Sequence, residues 1–332
     1  MYSSTNPPFA KPTLDSLPAG QRTWLTVRND DIYSFRWGDP AFARGYLRGM
    51  PGADKLAGFY IGPDGYIWGR EFISTEPDSP RQLVIKKQGY SFMLWGRLGY
   101  DPALPDSLFE KTLATRFPEV NGAKLFAAWS AASRVIPQIN RFFWAGGGND
   151  LGWFPEACIR HPGGSKGFYA VTAFMKGKTM AGSGILDIST YCDKTIRQEA
   201  ITGITPLQVA EALKADAGMT LARLAEMPRA KDKELRPTLG DLSAMAHLGN
   251  YYAGKILGAT DLALFEKTGK LELQASAIAH LEGALLHWKK YSAVATSQYQ
   301  PQLLTRIGYV DLNALTEFVQ RDITMAKEMK AQ

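Results

Sequence analysis

The chain has 332 residues and a mass of 36.6 kDa, enough for about two domains at roughly 150 residues each. Hydrophobic residues make up 45% and charged residues 21%, which excludes wholesale disorder, a fibrous repeat and a disulfide-built mini-protein. Basic residues exceed acidic ones by 38 to 32, a net +6, but they are scattered. No long run of like charge points to nucleic acid.

Two cysteines, Cys158 and Cys192, cannot form a CxxC metal site or a disulfide framework. Mean hydropathy is −0.19, and no uncharged apolar run of about 18 residues offers a membrane span. Met1 to Gly20 is rich in Pro, Ser and Thr and lacks the apolar stretch of a secretory signal. The expected location is therefore open: bacterial cytoplasm or, if the N-terminus is truncated, periplasm.

In chain order, Trp24–Val27 and Leu56–Ile61 are short β-branched or aromatic runs that end in polar residues or Gly, and both read as buried parallel strands. Arg141–Trp144 is a third candidate strand. Between the first two, Asp39 caps and Pro40 opens a helix over Ala41–Met50. Arg81–Trp95 is ambiguous between strand and helix. Further helices are predicted from Pro105 to Phe117 and from Gly122 to Val135. The second half is Ala- and Leu-rich, with helices over Thr205–Met227, Asp241–Phe265, Leu271–Ser297 and Asp311–Met329. Gly240, Gly269 and Pro301 stand at expected boundaries. No internal repeat is visible.

This order predicts an α/β fold: a partial (β/α) TIM-barrel-like domain over 1–185, then an all-α helical bundle over 186–332. A closed barrel needs about 250 residues, so an incomplete barrel and a chain cut from a larger enzyme are both expected. An incomplete barrel would leave an edge for oligomerisation.

Polar residues cluster just after the candidate strands. Arg28, Asn29, Asp30 and Asp31 follow Val27, then Arg36 and Trp37. Asp64, Trp68, Arg70 and Glu71 follow Ile61. Trp95 and Arg97 form a third cluster, and Trp144 leads a Gly-rich fourth. Strand-end loops converge on one side of a parallel sheet, so these clusters are expected to share a cleft. Carboxylates beside Arg and Trp suit a sugar: the carboxylates act as acid and base, Arg pairs with an acidic substituent and Trp faces stack on pyranose rings. Asp64 and Glu71 are the candidate catalytic pair, with Asp30 or Asp31 as alternative partner. Arg28, Arg36, Arg70 and Arg97, with Trp37, Trp68, Trp95 and Trp144, are the candidate substrate contacts. Each cluster also has a plainer reading as turns, ion pairs or core aromatics.

His247, His280 and His287 read as bundle or surface residues, and HExxH, G-x-S-x-G and phosphate-loop spacings are missing. No metal or cofactor is expected. The expected partner is an oligo- or polysaccharide, with no nucleic acid and no membrane span.

The runs Arg28-Asn29-Asp30-Asp31, Asp64 through Phe72 and Trp95 through Tyr100, with the helical tail, resemble the α-glucuronidase-like glycoside hydrolases, loosely over about residues 22–330. The resemblance implies a (β/α)8 catalytic barrel with a C-terminal helical domain. It sets Tyr66 where that group carries its acid Glu, and Ser91 where it carries a catalytic Asp. The resulting expectation is a glycoside hydrolase acting on uronic-acid-bearing polysaccharide. The alternatives are a non-catalytic glycan-binding or structural module and an enzyme of other chemistry, including a polysaccharide lyase.

Overall fold

The computed structural model describes residues 14–28, 36–50, 54–62, 75, 87–144, 153–160, 167–304 and 308–331. β1 (Thr23–Arg28) and β2 (Leu56–Gly62) pair in parallel, joined through α1 (Pro40–Arg48). The Asp39 carboxylate accepts from Ala41 N at 3.1 Å, which caps the free amides of the first turn. α2 (Gly89–Tyr100) packs with α1 on one face of the strand pair. Trp95 lies edge-on to Tyr46 at 5.6 Å and meets Phe59 of β2 at 5.9 Å.

After α2 the strand–helix alternation stops. α3 (Asp106–Arg116), α4 (Gly122–Ser133) and α5 (Val135–Phe142) follow in succession. Of the strand expected at Arg141–Trp144, Arg141 and Phe142 end α5, and Phe143 and Trp144 follow it outside any regular element. Val135, Ile136, Ile139, Phe142 and Phe143 are all buried, and their helical spacing outweighs the aromatic run that reads as strand. Among the described residues β1 and β2 are the one parallel pair of strands, so the TIM-barrel expectation is corrected: no closed barrel is seen. The other sheets are antiparallel hairpins, β3 (Trp153–Phe154) with β4 (Ile159–Arg160), and β5 (Gln302–Leu304) with β6 (Gly308–Val310).

The remainder is helical: α6 (Val171–Lys176), α7 (Ile188–Ile196), α8 (Pro206–Ala225), α9 (Leu235–Thr268), α10 (Leu271–Gln298) and α11 (Thr316–Glu328). Thr205 and Gln208 form a reciprocal capping box on α8. α9 is the spine, 34 residues long, about 50 Å at about 1.5 Å per residue. It stops at Gly269, whose φ of +69° suits a residue without Cβ. α10 then returns antiparallel along it. α9 begins six residues before the expected Asp241, so Gly240 is not a boundary. A Cβ there would collide with Gln298 Oε1, and glycine lets the two helix ends approach.

The core is continuous across residue 185. Thr220 of α8 donates to Ala128 O of α4 at 3.4 Å. Arg134 forks onto Asp216 at 2.9 and 2.5 Å. Asp322 of α11 accepts from Val171 N, at the start of α6, at 2.7 Å. No described helix is long and apolar enough to cross a membrane.

Candidate functional site

The chain leaves the carboxyl ends of β1 and β2 and comes back into the described structure at Arg36 and, after the single residue Thr75, at Lys87. Both side chains reach one carboxylate, Asp241, in the second turn of α9 and fully buried. Arg36 Nη1 donates to Asp241 Oδ2 at 2.5 Å. The Tyr299 hydroxyl and Gln298 Nε2 donate to Oδ1 at 2.7 and 2.8 Å. Lys87 Nζ stands 3.8 Å from Oδ2 and 4.0 Å above the Tyr299 ring, a cation–π contact.

The helices bring these groups together. Gln298 ends α10 and Tyr299 follows it, and the antiparallel return sets them beside the start of α9. Thr75 ties the segment after β2 to the same corner: its amide donates to Gln298 O at 2.9 Å and its hydroxyl to Ser297 O at 2.7 Å.

Two cations therefore share one carboxylate away from water. Burial works against the Arg36 charge, but Asp241 and Tyr299 outweigh it and raise its pKa. Lys87 goes the other way. Burial is the largest influence, Asp241 and Glu156 oppose it, Arg36 adds to it, and the amine is lowered to about 7. Burial, then Asp241, pushes the Tyr299 hydroxyl well above its usual 10, so it stays a donor. Arg36 Nε is buried with no hydrogen-bond partner among the described residues. Glu156 is buried on the β3–β4 turn. That turn is held by Tyr291, which donates to Glu156 O at 2.6 Å, and by Tyr252, which donates to Pro155 O. The spare Arg36 Nε suits a charge-assisted hydrogen bond to a carboxylate ligand. Among the described residues no group of three His, Cys, Asp or Glu could hold a metal ion.

The residues expected from sequence fare differently. Asp30, Asp31, Asp64, Tyr66, Trp68, Arg70 and Glu71 lie outside the described residues. Arg28 ends β1 opposite Gly62, and its side chain also lies outside them. Arg36 joins the cluster, but its guanidinium is engaged by Asp241. Trp37 and Trp95 are corrected as open sugar platforms. They are 1% and 0% exposed and stack on each other at 5.8 Å, with Phe42 edge-on to Trp37 and Tyr46 edge-on to Trp95. Arg97 stands apart from the cluster. It is exposed on α2, eight residues beyond the helix start at Gly89. Trp144 is half-buried, its amide donating to Lys178 O at 2.7 Å. Ser91 is buried within α2.

Lys87, Asp241, Gln298 and Tyr299 were missed. One signal was available for Asp241. It falls in a heptad row with Leu248, Lys255 and Leu262, where two charges in an apolar stripe mark buried polar chemistry. Nothing comparable marks the other three.

No family model matches the chain, and no curated protein matches it. Among solved structures it is similar to a GH138 enzyme targeting pectin rhamnogalacturonan II, with a TM-score of 0.81 and 15% identity over 98% of this chain and 50% of that one. The chain spans half the length of that enzyme, and at this identity the likeness is one of fold: this is a fold shared with a glycoside hydrolase.

Proposed function

We propose that the chain acts as a carbohydrate-active glycoside hydrolase, akin to the α-glucuronidase-like group, on uronic-acid-bearing polysaccharide. The observation that carries this reading is the convergence of Arg36 and Lys87 on Asp241 where the segments following β1 and β2 return. Those two segments carry Asp30, Asp31, Asp64 and Glu71. The shared fold lends support, and pectin, which the GH138 neighbour targets, is a uronate-rich polymer.

In this reading Asp64 and Glu71 are the acid/base pair, with Asp30 or Asp31 as alternative partner. Their separation sets the outcome: about 5 Å gives retention and about 6.5–9.5 Å inversion. Arg28, Arg70, Lys87 and the spare Arg36 Nε meet the sugar carboxylate, and Trp68 stacks on a ring. Asp241, Gln298 and Tyr299 are positioning residues that hold Arg36.

The test is hydrolysis of uronate-containing and neutral oligosaccharides by the full chain. Asp64→Asn and Glu71→Gln should each lower kcat by about 10²–10⁴-fold. Lys87→Met should raise KM for the acidic substrate alone. Equal turnover of acidic and neutral substrates would reject the uronate reading. Glycan binding without turnover would favour the second reading, a non-catalytic glycan-binding module, which the half-length match to the neighbour supports.

A further inference from the structure

The hairpin of α9 and α10 brings together two histidines that the sequence reads as bundle or surface residues. His247 and His287 face each other with Nδ1 3.4 Å from Nδ1. Their ring centroids stand 5.6 Å apart, so both Nδ1 atoms lie on the facing edges. The helix backbones are held close on either side of the pair. A Cβ at Gly254 would meet His280 O at 2.9 Å, and one at Gly240 would collide with Gln298. Two packed helices therefore fix the pair in advance. The separation has a chemical meaning. Two metal–nitrogen bonds of about 2.0–2.1 Å at the tetrahedral angle set their nitrogens about 3.3–3.4 Å apart. A hydrogen bond from an N–H is ordinarily shorter, about 2.7–3.2 Å. Histidine χ2 is a soft torsion, so small turns of the rings aim both lone pairs at one point. There is also room for further ligands. Gly283 lies one turn before His287, and a Cβ there would meet nothing within 4 Å.

We propose that His247 and His287 form a two-histidine site for a late first-row transition metal ion, Zn²⁺ or Cu²⁺, completed by water. With two protein ligands it keeps open positions, unlike a closed structural zinc site. Imidazole suits these ions, and Cu²⁺ stands highest in the affinity order. Metal binding needs neutral rings. Burial, then His287 and Lys290, lowers His247 to about 4, and burial, then Lys290 and Lys214, lowers His287. Both rings are therefore neutral at pH 7. The same two lysines oppose a dication, which makes the site exchangeable rather than tightly held. An ion there clasps the two helices of the hairpin. A direct histidine–histidine hydrogen bond with no metal is the competing outcome of the test.

The experiment titrates the full chain, carrying no histidine tag, with zinc or copper chloride by calorimetry at pH 7. The expected result is one ion per chain, Cu²⁺ tighter than Zn²⁺, and no binding of Mg²⁺, which prefers oxygen ligands. The paramagnetic resonance spectrum of the copper form should show two nitrogen ligands. His247→Gln and His287→Gln should each weaken binding at least about 100-fold, since losing even an outer-shell partner costs about 10–100-fold. His280→Gln should not. Its Nε2 lies 3.7 Å from Asp261 Oδ2, and it stands seven residues, about 10 Å, along α10 from His287. Zn²⁺ should also raise the unfolding midpoint of the wild type and leave that of His247→Gln unmoved. The copper spectrum reads the ligands in the wild type, so the test survives a variant that fails to fold. Three results overturn the proposal: no saturable binding of either ion, binding kept by the double variant His247→Gln with His287→Gln, or a copper spectrum without two nitrogens. None of them involves the Arg36–Lys87 cluster, so the hydrolase reading stands or falls separately.

Discussion

α9 carries two buried charge clusters fourteen residues apart on one heptad row, and they are built differently. At Lys255 the count closes. Its ammonium donates to Asp322 Oδ2 at 2.7 Å, Tyr169 O at 2.6 Å and the Tyr251 hydroxyl at 3.1 Å, which uses all three protons. Asp322 Oδ1 takes the Val171 amide. One cation meets one anion, and the pair ties α11 and the start of α6 to the spine. At Asp241 several side chains meet one carboxylate. Its oxygens are taken by Arg36, Gln298 and Tyr299, and Lys87 stands at 3.8 Å. A one-to-one pair holds structure together, whereas the second cluster keeps Arg36 Nε buried without a hydrogen-bond partner among the described residues, a donor suited to a ligand.

The largest effect should come from breaking the closed pair. Lys255→Met leaves Asp322 buried and uncompensated, which should cost about 3–5 kcal/mol of unfolding free energy, read by denaturant titration. The double variant Lys255→Met with Asp322→Leu should recover most of that loss, because no lone charge remains. A Lys255→Met chain as stable as the wild type would remove the distinction between the clusters.

The open cluster should reveal itself through pH. Lys87 is held near 7 against an ordinary 10.5. The unfolded chain therefore binds more protons between those values, and stability should rise with pH across that interval. Below about pH 7 Lys87 is protonated in both states, and the cost of its buried charge is fully present. Lys87→Met should flatten the rise; an unchanged slope would show that Lys87 carries its charge as freely as a surface lysine.

The smallest effect concerns His247, which lies on α9 between the two clusters and faces His287 of α10, Nδ1 to Nδ1, at 3.4 Å. Burial first, then His287 and Lys290, lowers His247 from 6.5 to about 4. Its stabilising contribution is complete above the unfolded value and lost as pH falls from about 6.5 towards 4. Solvent screening of this half-exposed pair keeps the expected loss near 1 kcal/mol. Urea midpoints at pH 7 and 4.5 for wild type and His247→Phe would measure it, and equal losses would exclude the pair as the cause.

The sequence alone determined the local elements. The strands over 24–27 and 56–61, the Asp39–Pro40 helix start and the Thr205 cap were legible because propensity, capping and hydrophobic period act over a few residues. The tertiary structure decided the rest. Arg141 and Phe142 became the end of a helix because Phe142 packs on helical spacing with residues upstream. Gly240 turned out to be a helix–helix contact, since its constraint is Gln298, far along the chain. Trp37 and Trp95 became core because α1 and α2 close over the strand pair, although their flanking Arg residues read as a site. The Asp241 cluster joins residues 36, 87, 241, 298 and 299. Only folding brings such distant positions together, and their charges acquire meaning only where water is excluded.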